Sequence, residues 1–299
     1  MKICLLAEPS PNPVLASVVD ALAQRHTVTV GGAPASGDVG HDEVADLYLL
    51  KSRSPQAQSI ARRAQDHGAT VVNSPDATAT ALDRWAMAQR LEHHGVPSPR
   101  TWCCATLEAM SDEAELDGLP WPLVVKSRTS RRGDLVRLVR DQEELLALLP
   151  EWGQEPVIVQ EFIENDGFDI KVWVIGRHLS AARRAAALEI CDKSQDVAID
   201  DADLPGAWRD AARAAGAALG LELFGADLVV RDGRPWVIDV NAFPGFQGAR
   251  NPVESLVTYL ESFATTSLAT TSLATTSLAT TGRSGHEQLH HHHQALAHP

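Results

Sequence analysis

Leu223-Phe224-Gly225-Ala226-Asp227 and, with its first aspartate twelve residues beyond Asp227, Asp239-Val240-Asn241-Ala242-Phe243-Pro244-Gly245 are the stretches whose reading decides the fold. Each opens in or just after an apolar run that reads as a buried strand, yet each carries oxygen side chains at its end. Asp239 and Asn241 are two apart, so in a strand their side chains leave on one face. Asp227, on a neighbouring strand, completes a set of three oxygen donors. Magnesium is a hard cation that takes oxygen ligands, usually one or two carboxylates together with phosphate oxygens. One aspartate at a strand end reads as the start of a turn. Three oxygen side chains at this spacing, ahead of Pro244-Gly245, read as a metal-ligand cluster.

Working outward, Lys126 ends the strand Leu123-Val124-Val125 and is followed by the polar loop Ser127-Arg128-Thr129-Ser130-Arg131-Arg132-Gly133. A lysine projecting from a strand beside a donor-rich loop is a means of holding phosphates. Lys171 and Arg184, on successive later strands, are expected to reach the same cleft. Phosphoryl transfer asks for little more than positioning and positive charge opposite the charge that develops. Between these groups lies Gln160-Glu161-Phe162-Ile163, an apolar strand running into a linker. Backbone groups at such a hinge can read an adenine edge while Phe162 and Ile163 sandwich the ring.

The predicted elements place these residues. Strands at Ile3–Ala7, Thr27–Val30, Asp46–Leu50 and Thr70–Val72 alternate with helices at Pro13–Gln24 and Gln56–His67, the rhythm of an open parallel sheet covered by helices. A helix over Thr78–His93 follows the turn-forming run Asn73-Ser74-Pro75-Asp76 and stops at Gly95 and Pro97. The pattern then becomes antiparallel, with strands at Pro122–Lys126, Leu135–Val139, Val157–Phe162, Asp169–Val174 and His178–Arg184. Helix Ala207–Leu219 leads to strands Gly225–Val230 and Pro235–Val240, and helix Val253–Phe263 closes the folded part. The fold class is therefore α/β. The expected domains are 1–77, a parallel-sheet domain, and 78–263, in two α+β parts meeting near residue 160. The tail 264–299, with its repeated Ala-Thr-Thr-Ser-Leu and the run His290–His293, offers no apolar face and is expected to be disordered.

Composition narrows the function. The 299 residues are 44% hydrophobic, enough for a substantial core. A net charge of −13 with a pI near 5.3 disfavours a non-specific nucleic-acid binder. No stretch approaches a membrane span, and Ile3–Ala7 is too short and too quickly followed by Glu8 for a signal peptide. Cys4, Cys103, Cys104 and Cys191 show no CxxC spacing. A soluble protein of the cytoplasm is expected, with its oligomeric state open.

These elements, in this order, resemble the ATP-grasp superfamily, over about Thr78–Phe263 with a pre-ATP-grasp domain in front. The resemblance implies two subdomains sandwiching ATP, with magnesium, or manganese in its place. It implies ATP contacts from Arg84, Lys126 and the segment Gln160–Lys171, which includes Asp169. It also implies metal ligation by Asp227, Asp239 and Asn241, and an acceptor site lined by Gly245. Leu82-Asp83-Arg84, Lys126 with its basic loop, Lys171-Val172, Arg184 and the two late strand blocks are similar to the inositol trisphosphate 5/6-kinases. Lys51 falls where those kinases carry a substrate-binding lysine, and Arg131 would approach the same acceptor. Asn73-Ser74-Pro75, Gly95-Val96-Pro97 and Asp169-Ile170 are similar to RimK-like ligases, which join a carboxylate to an amine through an acyl phosphate. The loop Glu8–Pro13 carries none of the cations with which the kinases hold a polyphosphorylated ring. The expected activity is accordingly carboxylate–amine ligation on a small-molecule or peptide acceptor, with Lys126 and Arg184 in the catalytic roles. The alternative is a kinase of an inositol or polyol phosphate. A non-catalytic ATP-binding module is disfavoured because all three metal-ligand positions are filled.

Overall fold

A computed structural model describes residues 1–8, 12–31, 44–111, 118–131, 133–185 and 196–264. The expectations for the repeat tail, Arg132 and Cys191 lie outside these residues. The three sheets fall within one compact unit, Met1–Val257. Among the described residues no helix is long and apolar enough to cross a membrane.

The first sheet is parallel, in the order β2-β1-β3-β4, from strands β1 (Lys2–Leu6), β2 (Thr27–Val30), β3 (Leu47–Leu50) and β4 (Thr70–Val72). Helices α1 (Pro13–Ala23) and α2 (Pro55–Asp66) connect them. Each starts on a proline preceded by a side-chain cap, Asn12 for α1 and Ser54 for α2, where proline's missing N–H costs nothing. Ala57, Ile60, Ala61 and Ala64 of α2 close one core against Leu6, Tyr48 and Leu50.

The single helix predicted over Thr78–His93 is two helices, α3 (Pro75–Leu82) and α4 (Arg84–His93). Asp83 between them is extended, with φ −92° and ψ 101°. Its carboxylate caps α4 by accepting from the N–H groups of Trp85 and Ala86, and it takes a two-pronged ion pair from Arg128. Asp83 and Thr129 also form an isolated β-bridge. Tertiary pairing thus overrides a continuous apolar helical pattern.

The second sheet has the order β5-β8-β6-β7, all antiparallel: β5 (Thr101–Cys104), β6 (Leu123–Ser127), β7 (Val136–Val139) and β8 (Val157–Glu161). The third has the order β11-β10-β9-β12-β13, with β9 (Phe168–Ile175), β10 (His178–Ala185), β11 (Val197–Ile199), β12 (Leu223–Arg231) and β13 (Arg234–Ala242). The short strands β5 and β11 have no counterpart among the predicted elements. Period-two alternation sorts the side chains of both sheets. Leu123, Val125, Val157 and Val159 enter the core of the second sheet, which leaves Val124, Lys126 and Gln160 for the opposite face. Ile170, Val172, Val174, Phe224, Ala226 and Leu228 enter the core of the third, shared with α3, α4 and helix Gly206–Leu219.

Buried Asn73 joins the end of the first sheet to the start of β12. Its Nδ2 donates to the Leu223 carbonyl at 2.7 Å, and its Oδ1 accepts from the N–H groups of Glu222 and Leu223 at 2.9 Å each. Asn73→Ala would leave these groups unpaired, so a loss of about 2–3 kcal/mol is expected from urea unfolding, with an unchanged m-value. A loss below about 0.5 kcal/mol would mean that the contact adds nothing to the fold.

Candidate active site

Asp227 and Asp239 face each other in register across β12 and β13, and Lys171 of β9 faces Asp227 from the other side. Asn241 Nδ2 stands 3.4 Å from a carboxylate oxygen of each aspartate. The three oxygen-bearing side chains singled out in the sequence therefore form one cluster. Lys171 Nζ pairs with Asp227 at 2.9 Å, and Arg184 joins Asp227 at 2.7 Å to Asp169 at 2.9 Å. Gly225 makes this approach possible: a Cβ there would lie 2.9 Å from Cε of Lys171.

A β-bulge shapes the cluster. Asp227 pairs with Asp239, but Leu228 pairs with Val237, so Ile238 is the extra residue. Val237 and Val240 stay in the core while Ile238 and Asp239 both face the cleft. The bulge also leaves the Ile238 carbonyl to accept from Lys126 Nζ at 2.9 Å. Burial depresses the Lys126 ammonium to about 8, against the opposing pull of Asp239. Burial pushes the Asp239 carboxyl up, but Arg84, Lys126 and Lys171 outweigh it and hold its pKa below the ordinary value. The same burial, joined by the neighbouring charge of Asp227, raises Asp169.

A cavity of about 370 Å³ lies between the second and third sheets. Its lining includes Arg84, Lys126, Gln160, Glu161, Phe162, Ile163, Asp169, Arg184, Asp227 and Asp239, ten of the residues expected from the sequence. Apolar side chains enter from both sheets, Val124 and Val136 from one and Val229 and Ile238 from the other, so a flat ring has walls on both sides. Lys171 and Asn241 do not line this cavity; they reach it through their contacts with Asp227 and Asp239. Buried Arg84 donates to the Ser127 carbonyl at 2.8 Å and pairs with Asp134 at 2.6 Å, and Nη2 comes within 3.9 Å of Asp239. Asp134 escaped the sequence reading, since an acidic residue after Gly133 in a basic loop looks like a solvated counter-charge.

A second cavity, of about 1070 Å³, opens beyond the carboxyl ends of β1, β2 and β3 and takes in Lys51, Arg131 and Gly245. Arg131 pairs with Glu155 at 2.5 Å. Lys51 has its pKa lowered by burial and by neighbouring Arg53, while Glu8 pulls it back up. Gly245 accepts from Asn12 Nδ2 at 3.3 Å, and a Cβ at 245 would lie 2.6 Å from that nitrogen. Arg53 is the residue the sequence reading missed here. It lines the second cavity, its Nη2 reaches Asn241 Oδ1 at 3.4 Å, and its Nη1 reaches the Ser130 carbonyl at 3.3 Å. Its position two residues after Lys51 was the available signal.

Known proteins resemble this chain in sequence and in fold. A 33% identical stretch of 141 residues matches human N-acetylaspartylglutamate synthase A, covering 44% of this chain and 36% of that protein. The chain thus spans little more than a third of that relative's length. A probable alpha-L-glutamate ligase of Legionella pneumophila (strain Corby) is 25% identical over 245 residues, covering 78% of this chain and 80% of the relative. The crystal structure of a RimK domain ATP-grasp protein from Sphaerobacter thermophilus superposes with a TM-score of 0.66 over 87% of this chain and 99% of that one. At 23% identity this likeness speaks for the fold alone. The RimK-like ATP-grasp domain profile matches residues 81–255, more than half of the 299 residues. The chain belongs to the RimK-like ATP-grasp family, in which ATP binding is inherent.

Proposed function

We propose that the chain is an ATP-dependent carboxylate–amine ligase working through an acyl phosphate. The charge balance of the larger cavity carries this reading. Its cations are Lys51, Arg53 and Arg131, set against the carboxylates Glu8 and Asp20, and Glu155 already holds Arg131. Such a balance suits one anion. A polyphosphorylated ring calls for several cations free of counter-charge; among the described residues of the cavity Arg131 is already paired and Glu8 and Asp20 offset the rest, and the sequence of the Glu8–Pro13 loop carries no cation. The relatives named as a glutamate ligase and an N-acetylaspartylglutamate synthase support the same class of chemistry.

In this reading Glu161, Phe162 and Ile163 bind the adenine against the apolar walls, and Lys126, Arg84 and Arg184 hold the phosphates. Asp227, Asp239 and Asn241 are the proposed magnesium ligands. The donor set fits a hard cation in its two carboxylates, and the surrounding cations keep Asp239 ionised. The Asn241 amide meets both aspartates through Nδ2 while its Oδ1 accepts from Arg53, so ligation by Asn241 calls for the amide to turn its oxygen toward them. Magnesium bound there would supply positive charge against the phosphate oxygens. An acceptor carboxylate oxygen attacks the γ-phosphorus and ADP leaves. The amine nitrogen then attacks the acyl carbon, loses a proton, and inorganic phosphate departs. The proposed compartment is the cytoplasm, which supplies ATP and keeps Cys4, Cys103 and Cys104 reduced.

Terminally labelled ATP tests the reading against a panel of amino acids, peptides and inositol phosphates. The expected result is label on inorganic phosphate with amine-dependent turnover. Label retained on the acceptor would replace the ligase with the kinase.

A further inference from the structure

We propose that the larger cavity selects an acceptor with a single carboxylate on an apolar body, held through that carboxylate by Arg53. The inference rests on the ligase reading and names the substrate class of its acceptor site.

The walls of the cavity are apolar over most of their extent, with Leu5 of β1, Leu15 and Val19 of α1, Val30 of β2 and Leu82 of α3. Arg53 stands between the cavity, which it lines, and Asn241. The bonds of Arg53 are long and go to neutral acceptors: 3.4 Å to Asn241 Oδ1, and 3.3 Å and 3.4 Å to the carbonyl and hydroxyl of Ser130. Among the described residues no carboxylate pairs with it. Its charge is therefore available to an anion at the edge of the proposed phosphoryl-transfer centre, where a reacting carboxylate has to lie. Arg131 is paired with Glu155, and Lys51, though drawn on by Glu8 without an ion pair, is buried and lies beside Arg53, which lowers its pKa.

Among the described residues, a second carboxylate on the acceptor finds only Lys51, a buried ammonium already drawn on by Glu8. Elsewhere that carboxylate would lie against the apolar wall, or near Glu8 and Asp20, which repel it. An apolar body instead covers Leu15, Val19 and Leu82 and gains from leaving water. The position beyond the carboxyl ends of a parallel sheet is where open α/β sheets bind ligands generally.

The test uses the full chain with ATP, magnesium chloride and hydroxylamine, which traps an acyl phosphate as a hydroxamate and releases inorganic phosphate. The acids are L-leucine, L-phenylalanine, L-glutamate and L-aspartate. Leucine or phenylalanine is expected to exceed both diacids in kcat/KM by about tenfold or more. Arg53→Gln is expected to raise the KM for the preferred acid by about tenfold or more while the KM for ATP stays within about twofold. Val19→Lys, or Ala16→Lys on the exposed side of the same helix should the first fail to fold, is expected to move selectivity toward glutamate by about fivefold or more. A diacid preferred by the unaltered chain overturns the apolar class and leaves the ligase reading standing. An unchanged acceptor KM in Arg53→Gln removes Arg53 from the site. No hydroxamate from any of the four acids overturns the ligase reading and this inference with it.

Discussion

Asp239→Ala lowers turnover by about 10²-fold or more at saturating ATP while the chain still unfolds in one cooperative transition. Asp239 is the meeting point of three cations, Arg84, Lys126 and Lys171, and it faces Asp227 across the strand pair. Removing it takes away a proposed magnesium ligand and the counter-charge that keeps those cations in place. Asp239→Asn keeps the shape and loses the charge, so comparing the two variants separates electrostatics from packing. A magnesium titration of steady-state turnover is the measurement. Near-normal activity with magnesium limiting would discard the assignment of Asp227, Asp239 and Asn241 as ligands.

Lys126→Met has the next largest expected effect, a rise in the KM for ATP of about 10- to 100-fold, the range of a lost charge-assisted contact. The unaltered chain gives a second signature. Its ammonium titrates at about 8, so it is a cation below that pH and neutral above it. ATP affinity is expected to fall as pH rises past about 8, by up to about tenfold per unit, and Lys126→Met should abolish that slope. Stability moves the other way. The folded value lies below the ordinary 10.5, so the unfolded chain binds more protons between the two values and folding strengthens as pH rises through that window. A binding isotherm for ATP flat from pH 7 to pH 9.5 in the unaltered chain would remove Lys126 from the phosphate site.

The site was legible where local spacing decides geometry. Asp239 and Asn241 share a face because they are two apart, and β8 ends at Glu161, within the segment read as a strand running into a linker. Tertiary contacts hid the rest. Ala77, Ala81, Met87, Leu91 continue a helical pattern straight through Asp83, and only the bridge to Thr129 and the pull of Arg128 break the helix there. Arg53 was overshadowed by Lys51, because nothing in Lys51-Ser52-Arg53 says which cation reaches the late strands. Asp134 matters only because folding brings it to Arg84, fifty residues away in sequence.

The extra residue in β13 acts as a phase shifter. A regular strand is a two-beat rhythm, and with Val237 and Val240 both facing inward that rhythm would be broken, since they are three residues apart. Inserting Ile238 resets the beat halfway along the strand, so Val237 before it and Val240 after it both keep step with the core. The dropped beat lets one turn of phase supply both an apolar wall, the Ile238 side chain, and a charged group, Asp239, on adjacent residues. A chain shortened by one residue at this point would run in time along its whole length. It would pass Asp239 and Asn241 on the same face as before, but without the free carbonyl that positions Lys126.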